Sequence, residues 1–325
     1  GIKTSDIDKL CFEFINDYHA YSAPLFYRGF PKSCCTSVNH IVCHGIPKDK
    51  ILKEGDIVNV DVTALKNGWH GDTSRTFKVG NVSVKAEKLI KATYESMMKA
   101  IGIIPCRYGS TRFPGKPLID ILGKSMIQRV HEQSIKSTKL NDLIIATDDS
   151  KIFNHVLEFG GKAVMTSKNH NTGTERCNEA FKKIKDTFDI VINIQGDEPF
   201  INPLQIDQVI QLFKDPKTEI GTLAKEITDI QTIKDYNTPK AIFDKSGNAL
   251  NFCRKIITNS KQKTYKHIGI YGYRKNILNQ ICQLPKSKNE IKENLEQLRW
   301  LDNNYKIKVA ITRFQTLSID TPDDI

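Results

Sequence analysis

Three cations and two glycines crowd one short run, Arg107-Tyr108-Gly109-Ser110-Thr111-Arg112-Phe113-Pro114-Gly115-Lys116-Pro117, directly after the apolar stretch Ile101–Cys106. Glycines let a backbone approach a phosphate chain closely, and Arg107, Arg112 and Lys116 could neutralise it. A solvated basic turn would use the same residues. The run is not a Walker loop, because Pro117 rather than Ser or Thr follows Gly115-Lys116. Farther along, Gln195-Gly196-Asp197-Glu198-Pro199 sets a carboxylate at the end of another apolar stretch, and Asp320-Thr321-Pro322-Asp323-Asp324 supplies a second. Magnesium favours one or two protein carboxylates completed by substrate phosphates, so Asp197 and Asp320 could hold a nucleoside triphosphate against the basic run. Taken alone, Asp320 fits a turn or helix cap as well. Between these lie Gly173-Thr174-Glu175-Arg176 and His267-Ile268-Gly269-Ile270-Tyr271-Gly272-Tyr273-Arg274, whose alternation puts His267, Gly269, Tyr271 and Tyr273 on one face. Ordinary sheet packing and ligand contact both fit that face.

A second constellation lies near the start. Asn67-Gly68 between Ile57–Lys66 and Trp69–Lys78 is a hairpin signal, because a type I′ turn needs two residues that tolerate positive φ. With that pair as the loop, Lys66 faces Trp69 and Thr63 faces Asp72. Asp61 then becomes the diagonal neighbour of Asp72, about 7–8 Å away. Close carboxylates repel unless a cation or a shared proton relieves them, so a divalent metal is one reading and two solvated aspartates the other.

The elements that must position these groups differ between the two regions. Asp6-Ile7-Asp8 reads as the N-cap of an amphipathic helix through Tyr18, with Leu10, Phe14 and Ile15 at helical spacing, after which strand patterns dominate to about residue 97. From Ile101 onward, apolar strands at Ile101–Cys106, Leu143–Thr147, Ala163–Thr166 and Ile190–Gln195 alternate with helices near Met126–Ser137, Lys151–Phe159 and Glu175–Lys185. Such alternation means βαβ units and an α/β fold with a mostly parallel sheet, and ligands there bind beyond the carboxyl ends of the strands. The expected domains are 1–97 and 98–325, joined without a linker at Met97-Met98-Lys99-Ala100-Ile101.

Composition narrows the partners. The chain carries +11, of which 1–97 contributes +2 (13 basic, 11 acidic) and 98–325 contributes +9 (35 basic, 26 acidic). Lysines scattered among Asn and Ile lack the clustering of a nucleic-acid reader, whereas an anionic small substrate would use the same field. No apolar run reaches a membrane span and no leader-like segment opens the chain, so a cytoplasmic protein is expected. The eight cysteines form no CxxC pair and read as reduced core thiols. Gly1 in place of Met suggests a coding region open upstream.

Taken together, the motifs from Arg107 to Asp320 resemble the 3-deoxy-manno-octulosonate (Kdo) cytidylyltransferases over about residues 98–325, in that family's order. The resemblance implies a nucleotide-diphospho-sugar transferase-like, Rossmann-like fold with helices on both faces of the sheet. It implies transfer of CMP from CTP to Kdo with release of pyrophosphate, for lipopolysaccharide synthesis, with Mg²⁺ as cofactor and a homodimer as the expected assembly. Arg107, Arg112 and Lys116 would hold the triphosphate, Asp197 and Asp320 the metal, and Gln195 and Arg176 would contact the nucleotide or shape its pocket. Arg254, His267, Tyr271, Glu290 and Gln297 fall where that family binds the sugar acid. Cys106 and Cys253 replace the family's usual Ala and Ser, and the stretches around Asn237-Thr238-Pro239-Lys240 and between Arg254 and His267 are shortened.

The first region is similar to type I methionine aminopeptidases through Phe30-Pro31-Lys32-Ser33, Val42-Cys43-His44-Gly45-Ile46-Pro47, Gly55–Thr63 and His70-Gly71-Asp72-Thr73-Ser74. That resemblance implies an incomplete α+β pita-bread half. Asp61 and Asp72 take two metal-ligand positions, His44 the active-site histidine, and Tyr27, Phe30 and Cys35 the neighbourhood of the methionine pocket. The family's remaining ligands, one His and two Glu, have no counterpart in the chain. Co²⁺, Mn²⁺ or Fe²⁺ would matter only if this region were functional, so aminopeptidase activity and an inactive fusion stand as the alternatives to cytidylyl transfer.

Overall fold

The computed structural model describes residues 1–109, 113–185, 187–255, 263–315 and 317–325. They form two compact units, Gly1–Ser96 and Met97–Ile325.

In the first unit, helix α1 (Thr4–Asp17) starts earlier than Asp6 would suggest as a cap. Asp6 instead lies inside the first turn, where its carboxylate accepts the Lys3 backbone N–H at 2.8 Å. Strand β3 (Ile57–Lys66) is the centre of a small antiparallel sheet. One edge takes β1 (Tyr21–Ser22) and β2 (Cys35–Val38), and the other takes β4 (Trp69–Lys78). Asn67 and Gly68 hold φ of 52° and 82°, as the two-residue turn requires, and the register pairs Lys66 with Trp69 and Thr63 with Asp72. Helix α2 (Val84–Met97) follows. The unit's core is small: Val38, Leu52 and Val58, flanked by Ile7, Val60 and Val79. Strand β4 is exposed along nearly its whole length, and Leu10, Phe14 and Trp69 lie open to solvent.

The second unit is built on β5 (Ala100–Cys106), whose near-continuous apolar sequence suits burial on both faces. A small hairpin, β6 (Asp120–Ile121) and β7 (Lys124–Ser125), leads into α3 (Met126–Ser134). Then come β8 (Asp142–Thr147), α4 (Ser150–Glu158), β9 (Ala163–Met165), α5 (Gly173–Lys183), β10 (Ile190–Asn193) and α6 (Pro203–Leu212). The strands β10-β5-β8-β9 pair in that order and in parallel. The remaining elements are β11 (Ile220–Ile227), α7 (Ile230–Lys234), β12 (Lys240–Phe243), β13 (Ala249–Cys253), β14 (Thr264–Arg274), α8 (Lys275–Ile281), α9 (Lys288–Glu293), α10 (Gln297–Asp302) and β15 (Ile307–Ile311). Strand β14 runs antiparallel to β10 over Tyr271–Arg274 and meets β12 at Lys266, while its other edge pairs with β11, which carries β15.

Alternation along the strands divides the core into two layers. One face of the sheet packs Ile101, Ile103, Val191, Tyr271 and Tyr273 against α5, α8 and α10 through Cys177, Ala180, Leu278, Leu298 and Trp300. The opposite face packs Ile104, Ile145, Ile192 and Ile270 against α3, α4 and α6 through Ile127, Val130, Ile152, Ile206 and Val209. This is the expected α/β arrangement, and it fixes the strand ends that carry the polar motifs. All eight cysteines are free thiols. Among the described residues, no helix is long and apolar enough to cross a membrane.

Candidate active site

The basic run folds back on itself because the Gly115 N–H donates to the Tyr108 carbonyl at 3.0 Å and Gly115 takes a φ of 73°, a value side chains rarely adopt. Lys116 then opens a short 3₁₀ turn, Lys116–Leu118, with its side chain 13% exposed. Its ammonium donates to Asp197 Oδ2 at 2.9 Å and to the Ile319 carbonyl at 2.8 Å, and lies 3.8 Å from Asp320 Oδ1. Two carboxylates 123 positions apart in sequence thus converge on one cation. Asp197 stands just past the carboxyl end of β10. The Ile319 N–H donates to the Asp197 carbonyl at 2.9 Å, which pins the last segment beside it. Asp324 sets Asp320 in turn, accepting the backbone N–H of Asp320 and of Thr321 at 2.8 Å each, and these bonds hold the Asp324 carboxyl below its usual range.

These groups border a cleft of about 250 Å³ lined by Arg107, Lys116, His170, Asn171, Thr172, Gly173, Arg176, Gln195 and Asp197. Arg112 lies outside the described residues. Arg176 is buried in the wall. Its guanidinium pairs with Asp148 at 2.8 Å and donates to Thr166 Oγ1 at 2.6 Å, so it shapes the pocket. Gln195 donates to the Gly269 carbonyl at 2.8 Å, tying β10 to β14 at the cleft. Gly196 sits where an added Cβ would come within 3.0 Å of the Pro105 carbonyl, so the strand-end loop needs glycine to pass there. A larger open groove of about 890 Å³ between α6, β11 and β15 brings together none of the motif residues.

The residues expected around a sugar acid separate into two groups. His267 and Tyr271 are buried on the α5 side of the sheet. His267 Nε2 lies 3.0 Å from Thr222 Oγ1, and burial pushes its pKa down to about 3, so it is neutral. Tyr271 pairs across the ladder with Asn193 and makes an edge contact with Trp300 at 5.1 Å. Asn193 Oδ1, the Tyr271 hydroxyl and Trp300 Nε1 are all buried with no hydrogen-bond partner among the described residues. Gln297 is buried in α10 nearby. Glu290 is placed differently: its carboxylate receives Arg299 Nε at 2.8 Å and Nη2 at 2.6 Å, both residues are buried, and Glu290 also closes the capping box of α9. Arg254 spends its guanidinium on main-chain carbonyls, Glu293 at 2.8 Å and Asn237 at 3.3 Å, and its loop toward His267 lies outside the described residues over 256–262.

Sequence reasoning passed over Asp148, the loop residues His170–Thr172, Asn193 and Glu296. Glu296 accepts from Thr174 Oγ1 at 2.7 Å, and burial pushes its carboxyl up. The available signal was positional, because Asp148 and Asn193 lie at carboxyl ends of central strands.

In the first unit, Thr63 Oγ1 donates to Asp72 Oδ1 at 2.8 Å. Burial first, then the Asp72 carboxylate, raise the pKa of Asp61, with His44 opposing. Cys35 faces Asp61 across the β2–β3 register. Tyr27 is exposed and Phe30 half-buried. Among the described residues, no group of three or more His, Cys, Asp or Glu side chains is arranged to hold a metal.

Comparison with known proteins follows the same division. The family model described as Cytidylyltransferase matches residues 101–307, and that of Metallopeptidase family M24 matches 1–111. A 3-deoxy-manno-octulosonate cytidylyltransferase of Parabacteroides distasonis is 50% identical over 243 residues, covering 70% of this chain and 96% of the relative. One from Bacteroides thetaiotaomicron is 49% identical over 241 residues, covering 70% of this chain and 96% of that protein. The solved structure of a CMP:2-keto-3-deoxy-manno-octonic acid synthetase complexed with CTP superposes with a TM-score of 0.66 at 39% identity, covering 69% of this chain and 94% of that one. Methionine aminopeptidase from Rickettsia prowazekii is 57% identical over 30% of this chain and 40% of its own, with a TM-score of 0.30. The Cytidylyltransferase match and the converging site both lie in the second unit, and the chain belongs to the cytidylyltransferase family.

Proposed function

We propose that the chain transfers CMP from CTP to Kdo, and that the cleft under Lys116 is where this happens. The observation that carries the reading is the closure of Asp197 and Asp320 on the Lys116 ammonium beside Arg107. Carboxylates that already converge on a cation at a strand end fit a magnesium ion, which takes one or two protein carboxylates plus substrate phosphates. Asp197 and Asp320 would hold it. When bound, the metal draws charge from the phosphoryl oxygens and orients the triphosphate.

Lys116 and Arg107 neutralise the triphosphate, and the anomeric hydroxyl of Kdo attacks the α-phosphorus as pyrophosphate departs. Catalysis of this kind is mostly positioning and charge neutralisation. The sugar side is supported by Asn193, Tyr271 and Trp300, whose buried polar atoms lack partners among the described residues and suit a polyhydroxylated ligand. Glu296 is a better candidate than Glu290 for this face, since its charge acts on Tyr271 and it bonds to Thr174, while Glu290 takes two hydrogen bonds from Arg299. His267 backs Tyr271 as a neutral ring, their centroids 5.3 Å apart.

In this reading the first unit takes no part in the chemistry; the ligand positions there that the resemblance matches are Asp61 and Asp72, and two carboxylates alone leave most of a metal's coordination to water. Pyrophosphate release should require CTP, Kdo and Mg²⁺ together. Release that ignores Kdo, or none at all, would reject the assignment.

A further inference from the structure

We propose that His170 is a positioning residue for the nucleotide, clamped between two carboxylates of α5 so that the loop Thr166–Thr172 stands as a fixed wall of the cleft. The proposal rests on the cleft being the CTP site. Helix α5 presents Glu175, Glu179 and Lys183 at spacings of four, so the three side chains line one face. That face meets the loop leading from β9. Lys183 lies 2.6 Å from Glu179 Oε1 and donates to the Met165 carbonyl at 2.8 Å. Glu179 Oε2 accepts the Ser167 N–H at 2.9 Å, and Glu175 Oε2 accepts the Asn171 N–H at 2.8 Å. His170 sits between them, Nε2 against Glu179 and Nδ1 3.9 Å from Glu175.

The direction of the His170 bond follows from the acceptor. Burial pushes the Glu179 carboxyl up, but hydrogen bonds from Lys183, the Ser167 N–H and His170 hold it at about 2, so it is an ionised acceptor and Nε2 carries the proton. With both ring nitrogens turned to carboxylates, His170 does not serve as an acid or base for substrate. Its effect is on the loop. Asn171, Thr172 and Gly173 line the cleft beside Arg107 and Lys116. Arg176 holds the other side of the same loop through Thr166 and the Ser167 carbonyl. A loop tethered at Thr166, Ser167, His170 and Asn171 is ordered before ligand arrives, and binding then costs less.

The test is steady-state kinetics on the full chain with CTP and Kdo varied separately, for His170→Ala, Glu179→Ala and the double variant. Each single change should raise the KM for CTP about tenfold, with kcat and the KM for Kdo within about twofold of wild type. The double variant should be no worse than the worse single, because the two side chains act as one unit. An unchanged KM for CTP, equal rises in both KM values, or additive effects would overturn the role of His170. Should those variants fail to fold, Lys183→Met removes the exposed end of the network and should raise the KM for CTP about threefold; no change there would also overturn it. A wild-type chain that releases no pyrophosphate would instead refute the reading of the cleft.

Discussion

Each unit of this molecule brings two aspartates together, and the surroundings of the two pairs differ. Asp61 and Asp72 meet through a hairpin of adjacent strands, so local register alone creates their proximity. Their strand β4 is exposed, and their core is a handful of aliphatic side chains. Asp197 and Asp320 come from distant parts of the sequence and meet because β10 and the last segment are held together by main-chain bonding at the edge of a two-layer core. The second pair closes on Lys116. A shared register can place two charges side by side, but a working site also needs partners from elsewhere in the chain and a rigid base beneath them.

The sharpest way to break this comparison is to disable the second pair. Asp197→Asn removes the metal-holding charge while keeping an oxygen for Lys116, and pyrophosphate release should fall by about a hundred- to a thousandfold. The same change at Asp61 should leave it untouched. Wild-type turnover in Asp197→Asn would sink the metal assignment. Next in size, Lys116→Ala should lower kcat by about a hundredfold with little change in the KM for Kdo, since the ammonium acts on charge that grows at phosphorus. A loss confined to the KM for Kdo would move Lys116 to the sugar side.

Smaller effects sharpen the roles of the buried groups. Glu290→Gln takes the two-point carboxylate contact from buried Arg299, leaving Glu296 at 3.8 Å as its countercharge, and should cost about 2 kcal/mol of stability, read as a lower midpoint in urea. In whatever fraction remains folded, the KM for Kdo should be unchanged; a selective rise there would return Glu290 to the sugar site. For His267, burial lowers the folded pKa to about 3 from 6.5. Between those values the unfolded chain binds a proton that the folded one does not, so stability present above the unfolded value is lost as the pH falls. His267→Gln should therefore lose less stability than wild type between about pH 7 and about pH 4.5. Parallel losses in urea titrations would show that the imidazole is not the titrating group.

Much of this arrangement was legible because it depends on short-range chemistry. Asn67-Gly68 dictated a register that the structure reproduces pair by pair. The apolar runs marked β5, β8 and β10, since strands buried on both faces need continuous rather than alternating apolar sequence. What could not be read was which of several similar residues turns toward the cleft. Glu290 and Glu296 are six positions apart in a Glu- and Asn-rich stretch. Their fates separate only because α9 and α10 fold against each other, giving the two-point Arg299 contact to the first and the Thr174 hydroxyl to the second, which keeps Arg299 at 3.8 Å. Asp6 looked like a helix cap yet acts within the first turn, because the helix gains a residue pair upstream at Thr4 and Ser5. His170 carried no motif of its own. Its importance rests on Glu175 and Glu179, whose spacing was visible but whose facing loop was not.

The last prediction removes the comparison's weaker side altogether. Lys99 and Ala100, where the chain enters β5, are held by the second unit itself: the Lys99 N–H donates to Asp189 at 3.1 Å and the Ala100 N–H to Asn141 Oδ1 at 2.8 Å. The connection therefore arrives at the amino end of β5, whereas the cleft opens at its carboxyl end, past Cys106. Deleting residues 1–96 should leave CMP transfer within about twofold of the full chain. The yield of soluble protein should rise, because the deletion takes away the exposed edge strand β4 and open side chains such as Leu10, Phe14 and Trp69. In the full chain, added Co²⁺ or Mn²⁺ should release no methionine from Met-Ala peptides beyond an Asp61→Ala, Asp72→Ala control, because two carboxylates leave most of a metal's coordination to water. Loss of CMP transfer on deletion, or metal-dependent methionine release above that control, would make the first unit a working partner of the second.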